Sequence, residues 1–264
     1  MTTVACREPG LSLSVVRISH PAGVAVVAHR HAEGQLLLLE QGTLKISCDS
    51  GWWLAPPGQA VWVPAGVDHQ ASYSEASLVL RLLLESPQLS GLPPYCLVFG
   101  VSPLLWALAR EGLEFGRAGR VGGDEPLIAA LVLHQLRQPP RAPLYFLPGG
   151  HSRRLQAVIT RLQRAPASRE TLEQLAEFAH CSSRTLARLF ETETGMGFTR
   201  WRDQLHLICA LDGLARGWSV TRTALELGYL SPSSFSTMFS RVAGVAPSRF
   251  AASEKALEAQ ALRQ

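Results

Sequence analysis

The chain lacks a hydrophobic run long enough to cross a membrane, since none of its 264 residues lie in a stretch of about 18 consecutive apolar side chains. Its N-terminus lacks the basic region and apolar run of a secretory signal peptide, so we expect a cytoplasmic protein with no membrane partner. Paired cysteines are missing as well. The five cysteines are scattered, odd in number and without CxxC spacing, which is typical of free thiols in a reducing compartment.

Catalytic signatures are also scarce. We find no Ser/His/Asp order, no pair of acidic residues that stands out as catalytic, and no Gly-rich phosphate loop. Lysine is almost absent, because only Lys45 and Lys255 contribute to the 25 basic residues. The charge is uneven: residues 151–264 hold 15 Lys+Arg and 10 Asp+Glu, and residues 1–150 hold 10 and 11. A basic half beside a near-neutral half indicates that one half meets a polyanion, although many globular domains carry a similar excess.

Composition and turn residues divide the chain into regions. Residues 10–85 contain short runs of Val, Leu and Ile separated by turn residues, which is typical of an antiparallel barrel or sandwich. Apolar periodicity predicts helices over 101–112 and 125–138. Residues 137–154 hold four prolines and a Gly-Gly pair, so they predict a linker or an extended arm. After this segment the period is almost wholly helical.

The C-terminal region repeats itself with an offset of 49 residues, which aligns 171–190 with 220–239. Each copy predicts a helix, a short turn and a second helix, with Ser182 and Ser231 as N-caps. The outward face of each second helix carries arginines or small polar residues, which suit a DNA major groove. The predicted DNA-binding residues are Ser182, Arg184, Ala187, Arg188, Pro232, Ser233, Ser236 and Thr237.

More specific motifs follow: the S-R-T-L-x-R-L-F run, Trp201, the G-Y-x-S-x-S-x-F-x-x-x-F block and the closing G-V-x-P-x-R-F. With them, residues 155–251 resemble the double helix-turn-helix domain of the AraC/XylS family of bacterial transcription regulators. The resemblance implies a linking helix over about 198–216 that holds two recognition helices one DNA turn apart, ~34 Å. His206 departs from the family, which often has arginine there, so a phosphate contact is lost or becomes pH-dependent.

Residues 23–42 and 58–69 resemble the two motifs of the cupin β-barrel superfamily, Gly-x5-His-x-His-x3-Gln-x6-Gly and Gly-x5-Pro-x-Gly-x2-His. In metal-binding cupins two histidines, a glutamate and a later histidine hold one divalent ion. Three imidazoles suit Zn, Ni, Co, Cu or Fe, whereas a neutral amide is a poorer ligand than a carboxylate. The residues of this chain that match the ligand positions, with glutamine in place of glutamate, are His29, His31, Gln35 and His69.

We therefore expect an α+β protein with a cupin-type β-barrel, a helical hairpin and an all-α double helix-turn-helix domain. The expected regions are a barrel over 1–95, a helical dimerisation region over 96–140, a linker over 141–154 and a DNA-binding domain over 155–264. The expected function is a homodimeric regulator that binds double-stranded promoter DNA and responds to a small molecule or a metal. The resemblance favours an activator, for which RNA polymerase is a further partner.

The histidine group leaves three interpretations open: a divalent metal site, a pocket for an organic effector without metal, and a purely structural role. Two other functions also remain. A cupin metalloenzyme of the dioxygenase type could be fused to the DNA-binding domain, since three histidines with open positions can activate oxygen or water. The barrel could instead be a dimerisation module that binds no ligand.

Overall fold

The structure is a computed structural model, and the residues it describes are 12–85, 89, 91–118, 125–137 and 146–251. The chain divides into two compact units. The N-terminal unit comprises Met1–Leu44 and Ala55–Pro143, and the C-terminal unit comprises Lys45–Leu54 and Leu144–Gln264. The short segment Lys45–Leu54 therefore belongs with the C-terminal helices, although it lies within the predicted barrel region in sequence.

The described residues form ten strands and eight helices, and the predicted α+β class is confirmed. The strands are β1 (Ser12–His20), β2 (Ala25–His29), β3 (Gly34–Gln41), β4 (Leu44–Cys48), β5 (Gly51–Ala55), β6 (Gln59–Val63), β7 (His69–Tyr73), β8 (Ser77–Glu85), β9 (Leu97–Gly100) and β10 (Phe146–Pro148). The helices are α1 (Pro103–Ala118), α2 (Glu125–Arg137), α3 (Arg153–Arg164), α4 (Leu172–Phe178), α5 (Ser183–Thr194), α6 (Phe198–Ala215), α7 (Val220–Glu226) and α8 (Pro232–Ala243). None of these helices combines the length and the apolarity that a membrane crossing needs.

The N-terminal unit is built on an antiparallel sheet with the strand order β1-β8-β3-β6-β9, and β2 pairs with β7. Because side chains alternate along a strand, each strand of the sheet has two faces. One face packs against α1 and α2 through large apolar side chains such as Leu36, Leu38, Trp62, Leu80 and Leu82. We call the opposite side the inner face of the sheet.

In the C-terminal unit, β10 pairs with β5 and stacks Phe146 on Trp53 with ring centroids 4.6 Å apart. The two strands approach so closely that a Cβ on Gly51 would clash with the Leu147 carbonyl oxygen, so only glycine fits there. The indole of Trp201 on α6 donates a hydrogen bond of 2.9 Å to the carbonyl oxygen of Pro148. The segment predicted as a linker or extended arm thus includes a strand that contacts α6.

The helices of the C-terminal unit repeat as predicted. Ser182 and Ser231 are the N-caps of α5 and α8, and each hydroxyl accepts a hydrogen bond from a backbone N–H three residues later. Both helices end on a left-handed glycine, Gly195 or Gly244, again 49 residues apart. The helix between the two motifs, α6, spans Phe198–Ala215, close to the predicted 198–216.

Candidate functional sites

The three predicted histidines of the N-terminal unit come together. His29 ends β2, His31 lies in the loop before β3, and His69 begins β7. A ligand atom of each lies within 4.8 Å of those of the other two. From the sequence, the His-x-His spacing predicts that His29 and His31 lie on one strand and point to the same face. This prediction is wrong for His31, because β2 ends at His29, two residues earlier. The loop, rather than strand alternation, directs that ring toward the other two.

Hydrogen bonds orient all three rings in the same way. The Nδ1 atom of each ring lies 2.7–2.9 Å from a backbone carbonyl oxygen, and a carbonyl can only accept. Each Nδ1 therefore carries a proton, and in the neutral ring this leaves the lone pair on Nε2. Metal-binding histidines are oriented by this kind of contact. The three pairs are His29 with Val27, His31 with Glu33, and His69 with Val67.

Burial leaves two of these lone pairs without a partner. The side chain of His69 is only 3% exposed, and the Nε2 atoms of His31 and His69 are buried without a hydrogen-bond partner among the described residues. Burial is the largest cause that lowers the pKa of His69, and the hydrogen bond to Val67 opposes it. An unsatisfied buried acceptor costs about 1–3 kcal/mol, and a bound cation would remove that cost. The donor set therefore fits a transition metal ion.

The Pro-x-Gly turn before β7 supports the histidine group. The backbone N–H of Gly66 donates a hydrogen bond of 2.8 Å to the carbonyl oxygen of His31. Gly66 has φ +76°, a conformation that glycine adopts without strain. The turn thus fixes the loop that carries His31 next to the strand that carries His69.

Gln35, the fourth predicted ligand, is the second residue of β3 and is 8% exposed. Strand pairing places it on the inner face beside Val63 and Leu83. Its role as a ligand stays a prediction. The histidine group itself includes no carboxylate among the described residues. Any metal bound there would thus be held by neutral imidazoles and would keep its positive charge.

The first helix-turn-helix presents two arginines on α5. Arg184 and Arg188 are exposed and lie one helical turn apart, with the half-buried Ala187 between them. Leu186 and Phe190 on the other side of the helix are fully buried. Within the described part of the chain neither guanidinium has a hydrogen-bond or ion-pair partner, so both are available to an external acceptor.

The second helix-turn-helix presents small polar side chains on α8. Pro232, Ser233 and Thr237 are exposed, and Ser236 is half-buried. The hydroxyl of Thr237 donates a 3.0 Å hydrogen bond to the carbonyl oxygen of Ser233 and is thus already engaged within the helix. In the first motif, the hydroxyl oxygen of Ser182 is similarly engaged as an N-cap.

His206 on α6 faces the interior of its unit. Its Nε2 donates to the carbonyl oxygen of Pro166 and its Nδ1 accepts from the hydroxyl of Tyr229, both at 2.9 Å. Burial is the largest cause that lowers its pKa. A phosphate contact from this ring would have to break one of these two hydrogen bonds.

A groove beside α5 was not predicted from the sequence. It has a volume of about 610 Å³ and is lined by residues that include Ala187 and three arginines. Arg169 donates to the carbonyl oxygen of Gly228 and Arg202 to that of Glu170, whereas Arg200 is exposed. The one sequence feature that could have indicated this groove is the pair of arginines at the start of α6, Arg200 and Arg202. Residues so far apart in sequence could be assembled only by the fold.

Comparisons with known proteins agree with this architecture. Residues 175–253 match a family model described as a helix-turn-helix domain, and residues 14–110 match one described as an AraC-like ligand binding domain. The HTH-type transcriptional regulator NimR of Escherichia coli (strain K12) is 34% identical over 227 residues, which cover 85% of this chain and 81% of NimR. RipA of Corynebacterium glutamicum is 33% identical over 143 residues, covering 53% and 41%. The solved structure of ToxT from Vibrio cholerae is 10% identical with a TM-score of 0.38, covering 91% and 98%.

The fold, the paired helix-turn-helix motifs, the two family models and the match to NimR define a DNA-binding transcription regulator with a ligand-binding domain. The chain belongs to the AraC family of HTH-type transcriptional regulators.

Proposed function

We propose that this regulator binds promoter DNA through α5 and α8, and that its affinity changes when the N-terminal unit binds an effector, either a small molecule or a metal. Family membership supports the DNA partner. The single observation that supports the effector site is the histidine group, in which two buried Nε2 atoms have no partner in the described chain.

The two recognition helices are proposed to have different roles: α5 recognises bases and α8 contacts phosphates. Arg184 and Arg188 carry guanidinium forks without a partner in the described part of the chain. Such a fork matches the O6 and N7 acceptors of guanine, and each such pair contributes about 1–3 kcal/mol of base discrimination. On the outward side of α8 the exposed Arg241 is paired with Asp203 at 2.8 Å and the other side chains are small, so we assign this helix contacts with phosphates that set the register. The three arginines of the groove beside α5 are suited to phosphates for the same electrostatic reason.

Footprinting and titration of Arg188→Ala and Ser236→Ala on the native promoter test this division. We expect Arg188→Ala to raise Kd about 5- to 150-fold and to relax base preference at one position, because 1–3 kcal/mol of contact is lost. Ser236→Ala, the matched substitution on α8, should change Kd little. A larger loss from Ser236→Ala would contradict the proposal.

For the effector site we propose a divalent transition metal, Zn, Ni, Co, Cu or Fe, held by His29, His31 and His69, with Gln35 as a further ligand or a neighbour. Elemental analysis of the purified chain should find about one ion per chain, and the His29→Ala, His31→Ala double variant should lose it. His134→Ala, which changes an exposed histidine on α2, is the control. Equal metal content in all three proteins would exclude a metal at the histidine group and leave an organic effector or a structural role for it.

A metalloenzyme is the alternative function, because three imidazoles leave coordination positions open for water or oxygen. Membership of a regulator family favours a non-enzymatic role. Anaerobic metal loading followed by measurement of oxygen consumption with candidate substrates distinguishes the two. An N-terminal unit that acts only in dimerisation would show no melting shift with any ligand.

We further propose that the regulator is a homodimer that acts in the cytoplasm, where promoter DNA is found. The support is a set of exposed leucines on α1 and α2, namely Leu104, Leu127 and Leu131. Activation through a contact with RNA polymerase rests on the family resemblance alone. As part of this proposal we keep the regions expected from the sequence: a barrel over 1–95, a helical dimerisation region over 96–140, a linker over 141–154 and a DNA-binding domain over 155–264.

A further inference from the structure

An arginine lies in the middle of the inner face of the N-terminal sheet. Strand pairing aligns Arg81 on β8 with Val16 on β1 and with Leu37 on β3, and Leu37 is in turn aligned with Val61 on β6. Directly paired residues share a face of the sheet. The guanidinium therefore emerges from a row of aliphatic side chains on the side that faces away from α1 and α2.

Among the described residues, Arg81 has no partner for its charge. Its Nε atom is buried without a hydrogen-bond partner, and no hydrogen bond or ion pair joins its side chain to another residue in the described part of the chain. Because Arg81 is only half-buried and has no carboxylate partner among the described residues, its guanidinium is available to an external anion.

The neighbouring polar groups supply no negative charge. Tyr73 on β7 stacks on His20 with ring centroids 3.9 Å apart. Burial raises the pKa of Tyr73 to about 12, although the positive charge of Arg81 opposes the rise, so the phenol stays neutral. Burial and then Arg81 lower the pKa of His20, which keeps the imidazole neutral at physiological pH. Arg81 is thus the one charge that these two rings face among the described residues.

The accessible part of the inner face around Arg81 is mainly apolar, and Ser14 and His20 add polar groups without charge. Val16, Ile18 and Leu83 are half-buried, whereas Leu37 and Val61 further along the sheet are closed to solvent. On the same face, the Oε1 atom of Gln59 is buried without a partner in the described chain. An aliphatic strip around one unpaired guanidinium is complementary to an organic molecule that carries one acidic group.

We propose that the N-terminal unit binds a small organic carboxylate, whose acid group pairs with the guanidinium of Arg81 and whose apolar body lies against Val16, Ile18 and Leu83. Guanidinium and carboxylate match in bidentate geometry, which explains why arginine stands there. This site deepens the proposed function, because it names the chemical class of the effector and a contact separate from the three histidines.

Paired ligands of the same shape test the charge requirement. Octanoate is compared with octanamide, and benzoate with benzamide, by calorimetric titration of the full chain. We expect at least one carboxylate to bind more tightly than its amide, and Arg81→Gln to raise the Kd of that carboxylate about 10- to 150-fold while the amide is unaffected. Arg17→Gln, on the neighbouring strand, should leave both unchanged, and Arg81→Lys should retain part of the preference because it keeps the charge.

Stability separates a ligand contact from a structural role. Without ligand, Arg81→Gln should melt at the same temperature as the wild type or higher, because it removes an unpaired charge. A lower melting temperature for Arg81→Gln, or equal binding of every carboxylate and its amide to the wild type, would overturn the proposal. The same titrations are repeated with chelator-treated protein. If the preference for the carboxylate disappears when the metal is removed but persists in Arg81→Gln, the carboxylate binds the metal and not Arg81. The affinity for promoter DNA is measured in a separate titration with and without the carboxylate. Carboxylate binding that leaves this affinity unchanged would refute the proposed effector response but not the Arg81 site.

Discussion

The contact between α6 and β10 allows one prediction to be worked out in detail. Trp201 on α6 has an exposed fraction of 0%, and its indole N–H donates to the carbonyl oxygen of Pro148. In Trp201→Phe the carbonyl loses this donor, which costs about 1–3 kcal/mol in a buried site. The smaller ring leaves a void of about 40 Å³, which adds about 1 kcal/mol at ~24 cal/mol per Å³. We therefore expect the free energy of unfolding of the C-terminal unit to fall by about 2–4 kcal/mol.

Urea unfolding of the full chain measures this change, provided that the two units are followed separately. Hydrogen exchange resolved by peptide reports on each unit, and peptides from α5 and α6 should lose protection. The matched control is Trp106→Phe, since Trp106 is half-buried on α1 in the N-terminal unit. That variant should leave the protection of α5 and α6 unchanged.

The reasoning would be refuted by a Trp201→Phe variant that loses less than about 1 kcal/mol, because a buried indole hydrogen bond would then contribute nothing. It would also be refuted by equal loss of protection in the α6 peptides of the two tryptophan variants. Because α6 separates the two helix-turn-helix motifs, a confirmed result would mean that residues just before α3 help to hold the DNA-reading helices in place.

Acidification below pH 6.5 should destabilise the C-terminal unit, because the buried His206 has a lowered pKa and the unfolded chain therefore binds protons first. His206→Gln should flatten this dependence in urea titrations above and below that pH. Leu131→Glu places a charge on a leucine that is 45% exposed on α2, and we expect a monomer in sedimentation velocity; a persistent dimer would exclude this face as the interface. Gly66→Ala forces alanine to φ +76° at a cost of about 1 kcal/mol, so calorimetry should show weaker metal binding by the loop of His31.

Local chemistry made part of this structure predictable. Ser182 and Ser231 were expected as N-caps because a hydroxyl three residues before a free backbone N–H acts at short range. The pairing of Phe146 with Trp53 was not predictable, since the two residues are far apart in sequence and the prolines around 146 indicated only an irregular or extended segment. Motif spacing predicted that His29, His31 and His69 meet, but the loop that carries His31 was mistaken for strand.

The proposed carboxylate contact of Arg81 could not be predicted from the sequence. In the run S-L-V-L-R-L-L-L-E, alternation alone places Leu80 and Leu82 on one face and Arg81 with Leu83 on the other, but it does not say which face is covered. A single arginine on a strand normally indicates the solvent side. Here α1 and α2 cover the leucine face, and the arginine face holds the stacked ring of Tyr73. Since only the packing of the helices distinguishes the two faces, the assignment of Arg81 to a ligand requires the three-dimensional structure.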